Sequence, residues 1–200
     1  VMKANVTLQG DGEGRTVLLL GDAANVTVIQ NVAADAPADI VVSNLTIDGN
    51  GTNQTSTVDG ISFSSAVRPV ARNVTFQNIS RRGVFVEKSD YARVTGNRFT
   101  NIGTSNSLNS AAVWFSGSSY FFIDHNLITT VGGPGDTVFG FGIGTFPITS
   151  PPAPSQYGHI ENNTITGTLG IAIAASSSQH TVFANNVIRS EHRIPQDRFI

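Results

Sequence analysis

The sequence predicts an all-β chain wound into a right-handed parallel β-helix, a solenoid of about eight coils with three short strands per coil and an Asn ladder. Three observations predict it. An Asn-containing tetrad that ends in an apolar residue recurs eight times. In its last four copies an Asn stands two positions before that end and another apolar residue five before it. Short apolar triplets fall in the same phase of several repeats, divided by Gly, Ser, Asn and Pro turns.

The tetrads are NVTL, NVTV, NLTI, NVTF, GNRF, HNLI, NNTI and NNVI, ending on Leu8, Val28, Ile47, Phe76, Phe99, Ile128, Ile165 and Ile188. Successive ends lie 20, 19, 29, 23, 29, 37 and 23 residues apart, so loops vary in length while the apolar position persists. Val94, Ile123, Ile160 and Phe183 precede Asn97, Asn126, Asn163 and Asn186, which reads as strand, inward-turned Asn, strand. The other strand of each repeat is ISF at Ile61, VFV at Val84, VWF at Val113, GIG around Ile143 and IAI at Ile171. Stacking like on like, with coils about 4.8 Å apart, lets these strands share one core, and eight coils make a rod of about 35 Å. Asn suits a buried corner because its amide tolerates left-handed backbone and hydrogen-bonds to the Asn above and below. A β-sandwich or barrel also alternates, but does not repeat one Asn corner at one phase.

Composition fits a single domain over residues 1–200. Hydrophobic residues make up 40% and charged ones 13%, enough for one sizeable core and too apolar for disorder. Twelve Lys and Arg against fourteen Asp and Glu leave a net charge of −2, so nothing global draws the chain to nucleic acid or an anionic membrane. There is no Cys, hence no disulfide framework and no thiolate metal site. The longest apolar run, Val17 to Leu20, is far short of a membrane span of about 20 residues. There is no phosphate-cradling Gly loop and no nucleophile elbow, which excludes nucleotide chemistry. An open rod leaves strand edges unpaired at both ends, so the expectation is a piece of a longer chain, capped by neighbouring domains or by trimerisation along the rod.

The coils resemble the pectate-lyase-like superfamily of right-handed β-helix proteins along almost the whole chain. Two segments resemble the pectate lyases more narrowly. FFIDHN, Phe121–Asn126, is similar to their aromatic-Ile/Val-Asp-His-Asn strand, and RIPQDR, Arg193–Arg198, to their Arg-x-Pro-x-x-Arg motif. The resemblance implies that Arg193 is the base that takes the proton beside a uronate carboxylate and that Arg198 orients substrate. It implies calcium as the cofactor, with Asp136 near one ligand position. Ala111 and Ala112 stand where the family has another calcium-binding carboxylate, and Thr168, Leu169 and Gly170 where it has a substrate-binding Lys.

Strand alternation sends Ser62, Phe85, Trp114 and Ala172 outward on adjacent coils. Phe85 and Trp114 thereby form a two-ring platform suited to the apolar faces of sugars, unless the loops at 132–140 or 147–155 fold over it. At Phe141 to Gly144 the phase admits either Phe141 or Ile143 inward. Asp59 and Arg82 take equivalent places beside the platform and are expected to form an edge salt bridge. Arg68, Arg72, Arg81, Arg82, Arg93 and Arg98 form either a basic zone for a polyanionic glycan or ordinary solvated turn arginines. Asp124 and Glu161 are equivalent outward carboxylates on a different face, read chiefly as a solvated pair, and His125 shares the corner position of Asn162 and Asn185.

The reading from sequence is a polysaccharide-active protein, a lyase or epimerase on a uronate-containing glycan, acting outside the cell or at its surface. The alternative is a glycan-binding or structural module that uses the rod as a rigid spacer. The site residues expected are Arg193, Arg198 and Asp136 for catalysis, and Trp114, Phe85, Arg82 and Asp59 for substrate.

Overall fold

The computed structural model describes residues 1–104, 110–132, 140–147, 153–168 and 170–189. Its strands stack as a parallel coil with three sides. The first side holds Thr7–Gln9, the leading halves of Val41–Asp48 and Val70–Ile79, then Arg93–Thr95, Phe122–Asp124, His159–Glu161 and Val182–Ala184. The second holds Val17–Leu19, the trailing halves of the same two long strands, then Arg98–Ile102, Leu127–Ile128, Thr164–Thr166 and Val187–Arg189. The third is a six-stranded sheet of Ile29–Gln30, Ile61–Ser64, Arg82–Glu87, Ser110–Ser116, Gly140–Thr145 and Ile173–Ala175.

The registers explain the repeat and correct its first two members. Ile47, Phe76, Phe99, Ile128, Ile165 and Ile188 form one column as expected. The rung before Ile47 is Leu18, not Val28. Leu8 instead pairs with Val42 on the first side, and Val28 leads into Ile29, which pairs with Ile61 on the third. NVTL and NVTV are therefore two corners of a single first coil, and the second side carries seven rungs among the described residues rather than eight. Asn5 and Asn25 both turn with left-handed backbone, φ 59° and 53°, so a left-handed Asn followed by a strand writes the same tetrad at whichever corner it occurs. On the third side Ile173, not Ile171, stacks on Ile143, so the outward residue there is Ala174 and not Ala172.

The core is a set of vertical apolar columns. Phe76 and Phe99 stack with centroids 4.8 Å apart and planes 4° from parallel. Where the chain turns into the third side, the inward positions are Gly60, Gly83, Ala112 and Gly142. A Cβ on Gly83 would lie 2.6 Å from the Phe99 ring and 2.7 Å from the Ala112 carbonyl oxygen, so the corner admits only the smallest residues.

The asparagine column stands as expected. The backbone N–H and Nδ2 of Asn97 both donate to Oδ1 of Asn126, those of Asn126 to Asn163, and those of Asn163 to Asn186, all at 3.0 Å. Each Nδ2 also donates to a first-side carbonyl, of Ala71, Val94, Ile123 or Ile160. Every polar atom of the interior amides is thus satisfied within the protein. The left-handed residue is not the ladder Asn but the one before it: Gly96, His125, Asn162 and Asn185, with φ between 55° and 65°. Asn44 and Asn73 continue that bend column, whereas the inward position after them is Leu45 or Val74.

Candidate functional site

The outer face of the third side carries the densest chemistry among the described residues, and it is built around Asp59. Arg82 stands one rung along from Asp59, as the sequence implied, but the pair is deeply buried rather than at an edge: Asp59 is 2% and Arg82 5% exposed. Arg82 donates from Nε and Nη2 to the two carboxylate oxygens, at 3.1 and 2.8 Å. Arg81 does the same from the other side, at 2.9 and 2.7 Å, while keeping more of its side chain exposed. Two fork-shaped guanidinium groups thus share one carboxylate, and the charge of Glu87 also acts on Arg82. Burial pushes the Arg82 guanidinium below its usual value, a displacement that hydrogen bonding to Asp59 opposes.

Aromatic rings wall this cluster. The Arg82 guanidinium carbon lies 3.7 Å from the centroid of Phe85 and 5.9 Å from that of Trp114. Phe85 and Trp114 pair in register and point away from the coil interior, as alternation required. They do not form an exposed platform, being only 6% and 3% accessible. Phe141 packs edge-on to Trp114 at 5.9 Å and Phe146 tilts over it at 4.9 Å. The cause lies one rung on, where Gly144 occupies the outward position. A Cβ there would lie 2.8 Å from the Phe146 ring, so the missing side chain opens the slot that Phe146 fills. Ile143 takes the inward position and Phe141 the outward one. Trp114 Nε1 is buried without a hydrogen-bond partner.

The remaining arginines do not gather. Arg68 grips Asp39 with two bonds of 2.7 Å and holds its carboxyl below the ordinary value. Arg93 lies over the Phe122 ring at 5.0 Å, and Arg98 faces Glu13 at 3.6 Å. Asp124 and Glu161 are neighbours in register on the first side, each paired with a histidine: His125 Nδ1 donates to Asp124 at 2.9 Å and His159 Nδ1 to Glu161 at 2.7 Å. Arg193, Arg198 and Asp136 lie outside the described residues. Among the described residues no three His, Asp or Glu side chains come together as metal ligands, and Ala111 and Ala112 bring no side-chain oxygen donor.

Sequence reasoning missed an aromatic column. Tyr91, Tyr120, Tyr157 and His180 all have left-handed backbone and stack at 5.0 Å intervals. Each stands three residues before an inward apolar residue, Val94, Ile123, Ile160 or Phe183, which is the signal that locates it. The rings cover one another's faces, so the column offers edges and hydroxyl tips to solvent rather than flat faces for sugars. No helix among the described residues is long and apolar enough to cross a membrane.

A parallel coil with stacked registers, an inward asparagine ladder and a charged, aromatic outer face defines the β-helix class of protein. Residues 36–193 match the family described as right handed beta helix region, and the chain belongs to that family. No curated protein matches the sequence. Among solved structures, the chain is similar to the A-module of mannuronan C-5 epimerase AlgE4 from Azotobacter vinelandii, with 14% identity over 97% of this chain and 83% of that one and a TM-score of 0.39. It is similar to the AlgE6 A-module from the same organism, with 13% identity over 98% and 85% and a TM-score of 0.41. The ORF18 protein of Geobacillus virus E2 matches with 10% identity over 94% and 49% and a TM-score of 0.42.

Proposed function

We propose that this protein acts on an acidic, uronate-containing polysaccharide outside the cell or at its surface, as a lyase or an epimerase. The observation that carries the reading is the pair of guanidinium groups on one buried carboxylate. Asp59 is outnumbered by two guanidinium groups beside an apolar wall, and Arg81 keeps a partly exposed side chain. Both reactions begin alike. Neutralising the uronate carboxylate makes the C–H beside it acidic, and a base then removes that proton. Arg81 is assigned the neutralising role, with Arg82 fixed behind it by Asp59. Arg193 is assigned the role of base by the pectate-lyase resemblance, and Arg198 that of orienting the sugar. In a lyase the electron pair expels the glycosidic oxygen at C4, whereas in an epimerase a proton returns to the opposite face.

The test is incubation with polymannuronate, polygalacturonate and a neutral glucan. Ultraviolet absorbance reads the unsaturated product, and proton NMR of the polymer reads inverted residues. Turnover of an acidic polymer that falls at least tenfold in Arg81→Ala supports the reading. Turnover unchanged in both Arg81→Ala and Arg193→Ala removes the assigned roles, and no turnover of any acidic polymer removes the enzyme. A second reading, a rigid non-catalytic spacer, draws on the closure of Phe141 and Phe146 over Trp114, which leaves Phe85 and Trp114 closed to a sugar.

A further inference from the structure

A cleft of about 280 Å³ lies at the bend between the first and second sides, away from the Asp59 cluster. Its floor is the Asn44, Asn73, Gly96 and His125 stretch of the left-handed bend column, which continues along the rod through Asn162 and Asn185. Gly96 is the one member without a side chain, so the column has a notch one residue deep between Asn73 and His125. Over it hangs the tight loop from Gly10 to Thr16. Three of its N–H groups are clamped to the second rung, Gly10 to the Ser43 carbonyl, Gly12 to the Asn44 carbonyl and Gly14 to Thr46 Oγ1, at 3.0, 2.8 and 3.1 Å. That clamp holds Glu13 across the notch toward Arg98.

The polar groups of the cleft are incompletely used. Arg98 and Glu13 sit 3.6 Å apart, beyond a hydrogen bond, and both side chains are at least half exposed. Asn73 donates Nδ2 to Asn44 Oδ1 at 3.3 Å, which turns its own Oδ1 to within 2.8 Å of the place where a Gly96 Cβ would stand. His125 spends Nδ1 on Asp124, so in the neutral ring Nε2 is an acceptor. The notch therefore presents the acceptor Asn73 Oδ1, with the His125 ring in the lining of the cleft, beside one guanidinium whose carboxylate partner is loosely held.

We infer that this notch is a second carbohydrate site, taking one unit of a sugar acid: its hydroxyls donate to Asn73 and His125, and its carboxylate accepts from Arg98 in place of Glu13. This rests on the reading of the protein as one that handles uronate-containing glycan. The cleft is slightly smaller than the roughly 300–1,000 Å³ of pockets for drug-sized ligands, which fits one sugar ring.

The protein is small enough for backbone NMR, and sodium glucuronate and glucose serve as probes. Glucuronate is expected to shift the amide signals of Gly12, Gly96 and His125, with a dissociation constant on the order of millimolar for so few contacts. Glucose at the same concentrations leaves them in place. Gly96→Asn is the decisive variant, because it installs the residue that four other rungs use with the same left-handed backbone, and its new Cβ meets only the amide end of Asn73. It should leave the melting temperature within a few degrees and weaken glucuronate at least tenfold. Exposed Arg98→Gln should do the same if Gly96→Asn disturbs the bend, and Glu13→Gln should tighten binding several-fold. Equal shifts with glucose, or glucuronate binding unchanged in Gly96→Asn and Arg98→Gln, overturn the inference. Shifts confined to Arg81 and Phe85 overturn it while leaving the proposed function intact.

Discussion

Replacing Asn126 with Ala tests how the fold is held at its buried bend. The carboxamide takes part in four hydrogen bonds: Oδ1 accepts from the N–H and Nδ2 of Asn97, and Nδ2 donates to Asn163 Oδ1 and to the Val94 carbonyl, at 3.0, 3.0, 3.0 and 2.9 Å. The site is sealed, with Asn126 only 1% exposed, so its partners lie away from bulk water. At about 1 kcal/mol net per bond the loss comes to about 4 kcal/mol, with the Asn97 N–H left as an orphan donor. Set against a typical stability of about 5–15 kcal/mol, that is a large share. Urea unfolding followed by fluorescence of Trp114, the sole tryptophan, measures it directly. Asn162→Gly is the control. It alters the neighbouring column, where the side chain is exposed and the backbone left-handed, and should change stability by no more than about 1 kcal/mol. A loss below about 1 kcal/mol for Asn126→Ala, or equal losses in the two variants, would show that the ladder follows from the coil rather than holding it.

Asp59→Ala strands the buried Arg82 without its carboxylate and should cost about 3–5 kcal/mol in the same urea assay. Arg81→Ala leaves the Arg82 pair intact and should cost about 1 kcal/mol or less. Gly144→Ala drives a methyl group into the Phe146 slot. Trp114 emission should shift to the red and become open to acrylamide quenching, whereas an unchanged spectrum means that Phe146 is not what shields it. Asp39 gains stability from Arg68 above the ordinary carboxylate pKa and loses it as pH falls through its own lowered value. Arg68→Met should return the Asp39 carboxyl to the ordinary range in an NMR titration, and a titration that does not move refutes the pairing.

The two aromatic groupings show how differently chemistry is written along this chain. Tyr91, Tyr120 and Tyr157 keep fixed spacing from Val94, Ile123 and Ile160, so their stack is legible in the sequence once the register is known. Phe146 belongs to no repeat. It reaches Trp114 because Gly144 vacates a position that becomes its neighbour only when two coils are laid side by side. Arg81 was equally hidden, since alternation selects Arg82 as the partner of Asp59. The carboxylate has two oxygens, and the fold brings a second guanidinium to them from the adjacent residue.

The sequence alone determined the winding. A period in which apolar residues and Asn recur at one phase is compatible only with parallel strands that stack like on like, and Asn97, Asn126, Asn163 and Asn186 stand in the predicted column because buried amides need partners of their own kind. It also determined which side of each strand faces out at Phe85 and Trp114. Only the tertiary structure decided that these rings are covered, that Asp59 serves two arginines, and that the first two tetrads share a coil. Those outcomes depend on contacts between residues about 20 to 35 positions apart whose geometry is set by loop lengths and by missing side chains such as that of Gly144, and strand periodicity carries no information about either.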